Sequence, residues 1–186
     1  MLEDKKLKES SAIIKKIITE GGIIKPTMGS IEFFMEKSRQ SIAVASRLME
    51  LESEEGLTAD MWIINASYYS MFFAAISLLA KSGRAIKKEV GIHKLTYHAL
   101  IHYFLIEDNK LEKYFIEGYK EAVQEAEELL QLSERKTEEF IRAFDNETSK
   151  RKMFTYDLGK TAEKIKAETS LLRAKKFVNE VEKIIS

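Results

Sequence analysis

No cysteine occurs among the 186 residues, and a single proline stands at position 26. The first absence excludes disulfides, thiol catalysis, Fe–S clusters and zinc sites built on thiolates, and it fits a reducing cytosol. The second, with only 8 glycines, leaves long stretches without breakers that are rich in Ala, Leu, Ile, Glu and Lys. Such stretches favour helix and argue against an all-β or α/β fold. Net charge is lacking too. Lys plus Arg number 30 and so do Asp plus Glu, so no whole-protein basic field holds nucleic acid non-specifically. Neither Gly-x-x-x-x-Gly-Lys-Ser/Thr nor Gly-x-Gly-x-x-Gly occurs, and there is no Gly-x-Ser-x-Gly elbow. P-loop, Rossmann and α/β-hydrolase sites are excluded on motif grounds.

Histidine is also scarce, at His93, His98 and His102. His98 and His102 are four apart and share a helix face, within joint reach of a metal. The residues between them, Ala99-Leu100-Ile101, lack the glutamate of the zinc-protease helix. The expectation is histidines at the edge of a packed face, with no metal and no cofactor. Glu127-Glu128 and Glu138-Glu139 lie in charged helical stretches and read as solvated faces, not catalytic dyads.

What is present suffices for one core: 45% of residues are hydrophobic and 32% charged. Leu2-Glu3-Asp4-Lys5-Lys6 is charged and no apolar stretch follows, so a cytoplasmic protein without signal peptide is expected. Met61 to Ala80 is a run of 20 residues without a charge, long enough to cross a bilayer. Asn65, Ser67, Ser70 and Ser77 would need partners in lipid, whereas the apolar faces of the other helices need a centre to bury against. The expectation is a central bundle helix and no membrane.

The chain divides into helices by its breakers. Leu7 to Ile18 predicts a short first helix with Ile13, Ile14, Ile17 and Ile18 on one side, ended by Gly21-Gly22. Residues 1–27 read as a loosely attached helical appendage and linker, and 28–186 as one helical bundle. Ser30 is the expected N-cap of a helix reaching Leu51. Gly56 marks a turn, and Thr58 or Asp60 opens the central helix, which ends near Gly83. A helix from Glu89 to Leu105 follows, broken at Glu107-Asp108-Asn109. Lys110 to Phe144 predicts one long helix or two stacked ones, interrupted at Asp145-Asn146. The last helix runs from Thr161 to Ile185, with Leu171, Ala174, Val178, Val181 and Ile185 at three- and four-residue steps. The fold class is therefore all-α, an antiparallel up-and-down bundle with an extra N-terminal helix.

Charge follows the same order. Glu107 to Thr148 holds 13 acidic and 6 basic residues, whereas Ser149 to Ser186 holds 10 basic and 5 acidic. Two solvated faces that attract each other explain this; a phosphate-attracting strip around Lys150-Arg151-Lys152 is the functional alternative. Polar residues embedded in apolar stretches are the other candidates. Asn65, Tyr68 and Tyr69 lie in the central helix, Arg84 and His93 flank the turn after it, and Arg151 and Tyr156 precede the last helix. Arg grips phosphate with a fork of donors, and Tyr offers a hydroxyl and a stacking face.

Together these stretches resemble the HEPN domain, the helical "higher eukaryotes and prokaryotes nucleotide-binding" family, and above all its small stand-alone archaeal and bacterial members. Ser41 to Leu51 resembles the first long helix of the family. Asn65-Ala66-Ser67-Tyr68-Tyr69-Ser70-Met71-Phe72-Phe73-Ala74-Ala75 is similar to its N-x-x-Y-Y-A-M-F-x-A-A signature. Glu89-Val90-Gly91-Ile92-His93 resembles the segment carrying the family's histidine, Arg151-x4-Tyr156 its R-x-x-A-D-Y ending, and Ala174, Phe177 and Val178 to Ile185 its closing A-x-x-F-V-x-x-I helix. The likeness spans Ile31 to Ser186. Thr155 replaces the usual Asp, the acid following instead as Asp157, and the stretch from Glu107 to Lys150 is longer than in compact members.

The resemblance implies a homodimer that binds nucleotide or RNA through Arg151 and Tyr156 with Asn65, Tyr69 and His93, beside a minimal nucleotidyltransferase in a toxin–antitoxin pair. HEPN nucleases carry R-x4–6-H, and no Arg here has a His five to seven positions after it. The expected function is thus binding with weak or no catalysis. A diverged RNA endonuclease using Arg151, Tyr156 and His93, and a helical dimerisation protein, are the alternatives.

Overall fold

The computed structural model describes residues 4–55, 58–87, 91–145 and 160–186. Helix α1 spans Asp4–Thr19, α2 Ser30–Glu55, α3 Asp60–Lys81, α4 Ile92–Ala99, α5 Lys113–Asp145 and α6 Lys160–Ile185. Strands β1 (Ile23–Ile24) and β2 (Ala85–Ile86) form a two-residue antiparallel ribbon, Ile23 opposite Ile86 and Ile24 opposite Ala85. The protein is an all-α helical bundle.

Side-chain registers give the helix directions. Ser38 donates to the Ser70 carbonyl and Ser77 to that of Ile31, each at 2.8 Å, while Ala45 packs with Ile63 and Ile64. Residue numbers fall along α3 as they rise along α2, so the two are antiparallel. Ala167 and Leu171 join Ile63 and Ile64 in one buried cluster, and the Lys81 ammonium reaches the Ile185 carbonyl; α6 therefore runs parallel to α3. Phe115 and Tyr119 meet Phe177, and Glu125 meets Ser170, which makes α5 antiparallel to α6. In chain order the four long helices alternate up and down.

Helix α3 lies at the centre, as its uncharged run requires. It is long and apolar enough to span a bilayer by length and composition, and 72% of its most apolar 18-residue window is buried inside the protein. Ser67, Ser70 and Ser77 are buried on it, and the last two hydroxyls are spent on backbone carbonyls. Gly83, at φ 78°, ends its last turn. Of the two arrangements open for 110–144, one continuous α5 forms.

Two expectations are corrected. The segment ahead of Pro26 is not loosely held. Ile14 is fully buried in the main core, Ile17 is also buried, and α1 packs on α4 and the segment after it. Only half of the expected isoleucine face is used, since Ile18 is 46% exposed. The helix expected to continue to Leu105 instead widens into a π-helix over Leu100–Glu107. Leu100, Ile101, His102, Tyr103 and Phe104 are all buried. An α-helical turn would send part of such a run to solvent, and the wider i→i+5 turn accommodates it between α1 and the core. The Asp108 amide still closes an i→i+5 bond to the Tyr103 carbonyl at 2.9 Å, and Asn109 at φ 49° ends the segment.

Candidate functional site

Three- and four-residue spacing puts Asn65, Tyr68, Tyr69, Phe72 and Phe73 along adjoining faces of α3. Tyr68 and Phe72 are buried, Asn65 and Phe73 half-buried, and Tyr69 is 42% exposed. Gly91, at φ 75°, turns the chain into α4 and brings His93 over this row. The imidazole lies on Phe72 with ring centroids 4.3 Å apart and beside Tyr68 and Tyr69 at 5.5 and 6.3 Å. Phe73 continues the aromatic row from Tyr69 at 5.9 Å, and Phe34 of α2 stacks on Phe73 at 6.3 Å.

One hydrogen bond organises the group, between the Tyr68 hydroxyl and His93 Nδ1. Burial, with the neighbouring Tyr69 and the negative charge of Glu127, pushes the Tyr68 phenol far above its ordinary value, so it keeps its proton. Burial also lowers the His93 pKa, against an opposing pull from Glu127. A neutral imidazole that accepts at Nδ1 carries its proton on Nε2. Glu127 itself is tied to Lys94 at 3.6 Å. On the other side of Tyr69, a groove of about 300 Å³ runs between α2 and α3, lined by Lys37, Gln40, Ser41, Val44, Ala66, Tyr69 and Phe73.

The structure thus brings together Tyr69 and His93, with Asn65 one turn before Tyr69 on α3. Arg151 and Tyr156, with Lys150, Lys152 and Asp157, lie outside the described residues. Arg84 is engaged elsewhere: its guanidinium stacks 4.0 Å over the Tyr103 ring and sits 3.7 Å from Glu107. His98 and His102 each bond a serine of α1 through Nδ1, Ser10 at 2.9 Å and Ser11 at 3.2 Å. Among the described residues no cluster of three His, Asp or Glu side chains forms. Sequence reasoning missed Tyr68 as the partner of His93. The only signal was that Tyr68 and Phe72 share a helix stripe, and nothing local says which histidine lands on it. No protein-family model matches the chain, and no curated protein matches it.

Proposed function

We propose that this chain is a HEPN-type helical module that binds nucleotide or RNA at the Tyr69–His93 surface without efficient chemistry. One observation carries the reading: a half-exposed tyrosine ring stands beside a half-buried histidine that a buried tyrosine holds through Nδ1. A ring face and an imidazole edge, side by side, suit a base and its polar edge. Asn65 adds an amide on the same side, and Arg151 and Tyr156 would complete the grip on phosphate, as the family resemblance implies. The same resemblance underlies a homodimer working beside a minimal nucleotidyltransferase in a toxin–antitoxin pair.

The test is a titration of wild-type protein and Tyr69→Ala with labelled single-stranded RNA and with ATP. Stacking on one aromatic contributes about 1–3 kcal/mol, so affinity should fall about 5- to 160-fold in the variant. Arg151→Ala should weaken binding by roughly 10- to 150-fold, the worth of a charge-assisted contact. Undiminished binding in both variants would remove this surface from consideration.

A further inference from the structure

Beyond the Tyr69–His93 pair, α3 carries a second exposed ring. Trp62, the chain's only tryptophan, is 62% exposed and stands seven residues ahead of Tyr69. Seven residues are nearly two helical turns, so the two rings share one stripe and lie about 10 Å apart along the axis. Ala66, between them on that stripe, is small and lines the groove beside Tyr69. The antiparallel register that sets Ser38 against Ser70 and Ala45 beside Ile63 brings Lys37 of α2 to the Tyr69 end of the stripe and Arg47 to the Trp62 end.

We propose that this stripe is a path for single-stranded RNA, with Trp62 and Tyr69 as two stacking platforms and Lys37 and Arg47 reaching the phosphates. The inference rests on the reading of Tyr69 as a base platform and names the ligand more closely: an oligonucleotide, not a mononucleotide. One base covers one ring, so two rings about 10 Å apart take two bases of one strand. A duplex keeps its bases stacked on each other and offers neither ring a free face.

The charges on this face favour a nucleic-acid strand over a second protein surface. Lys37 meets only neutral groups: its ammonium lies 5.7 Å from the centre of the Phe33 ring and donates to Gln40 Oε1 at 3.3 Å. No ion pair joins it to a carboxylate among the described residues. No acidic side chain lines the groove that runs from Lys37 to Tyr69. An apolar protein surface laid on that groove would bury Lys37 without a counter-ion, whereas a phosphodiester supplies one. Arg47 does have a carboxylate, Glu50 at 2.9 Å, but both side chains are exposed. Such a pair is weak in water, and phosphate can take its place on the guanidinium.

The experiment follows the emission of Trp62, a probe with no second tryptophan to mask it, while the full chain is titrated with oligouridylate of about 12 nucleotides and, separately, with ATP. Oligouridylate is expected to quench the emission to saturation, and ATP to leave it unchanged. Trp62→Ala should weaken the binding of labelled oligouridylate about 5- to 160-fold and leave the affinity for ATP as it is. Trp62→Phe keeps a ring and should retain most of the affinity. Undiminished oligouridylate binding in Trp62→Ala, beside a loss in Tyr69→Ala, overturns the path and leaves Tyr69 standing as a single platform. A loss in Trp62→Ala with none in Tyr69→Ala, or no oligouridylate binding by the wild type, overturns both readings. Emission that shifts when the protein alone is diluted assigns the face to a second copy of the chain and overturns the proposal.

Discussion

At the residue scale, the Tyr68 hydroxyl finds an imidazole where a surface tyrosine would find water. Tyr68→Phe removes the hydroxyl and leaves His93 Nδ1 without its partner. A lost hydrogen bond and a stranded polar group cost about 1–3 kcal/mol, read as a lower urea midpoint with an unchanged slope. In the wild type, His93 has a folded pKa below its unfolded one, because burial disfavours the cation. Its contribution is present above about pH 6.5 and is lost as pH falls through that value. A urea midpoint that does not fall between pH 7 and pH 5 would contradict this sign.

At the element scale, α1 and the π-helix are where the chain departs from its own local pattern. Ile14 is fully buried in the main core and Ile18 is 46% exposed, although both belong to the same run of isoleucines. Ile14→Ala should cost about 2–5 kcal/mol through lost contacts and the cavity left behind, whereas Ile18→Ala should stay within about 0.5 kcal/mol. Equal midpoints for the two variants would mean that α1 does not share the core. The α3 and α6 limits were legible because an uncharged run between Asp60 and Lys81 and a repeated three- and four-residue step are local signals. The docking of α1 was not legible, because Gly21-Gly22 and Pro26 announce a break in the chain and say nothing of where the helix folds back. The π-turn was equally hidden: Leu100 to Phe104 fits either helix type until the neighbours on both sides are known. For the candidate site, Asn65 and Tyr69 stand out as polar residues in apolar sequence, and His93 by its place after the turn that follows the central helix. The Tyr68 partnership does not, since it depends on a contact across 25 residues.

At the scale of the whole molecule, charge and histidine placement bear on chemistry together. The acidic stretch and the basic last helix meet between α5 and α6: Arg173 reaches Glu121 at 3.1 Å and Glu125 at 2.9 Å, with Ser170 donating to the same Glu125 at 2.6 Å. This part of the charge asymmetry serves α5–α6 packing. Cutting RNA at an Arg–His site needs the two groups to converge on one accessible phosphate, the His moving a proton at the scissile bond. An arginine and a histidine do approach each other through Glu107, as Arg84 at 3.7 Å and His102 at 3.2 Å. His102 is 4% exposed, however, and both its nitrogens are occupied, by Ser11 and Glu107. Arg84 lies flat on Tyr103. This pair cannot hold a phosphate without dismantling its own packing. His93 is open enough to touch a ligand, and its Nδ1 is taken by Tyr68. The expected outcome is that micromolar protein leaves a mixed single-stranded RNA intact over hours while still retarding it in a binding assay. Cleavage that disappears in Arg151→Ala or His93→Ala would overturn that expectation and make these residues a nuclease site.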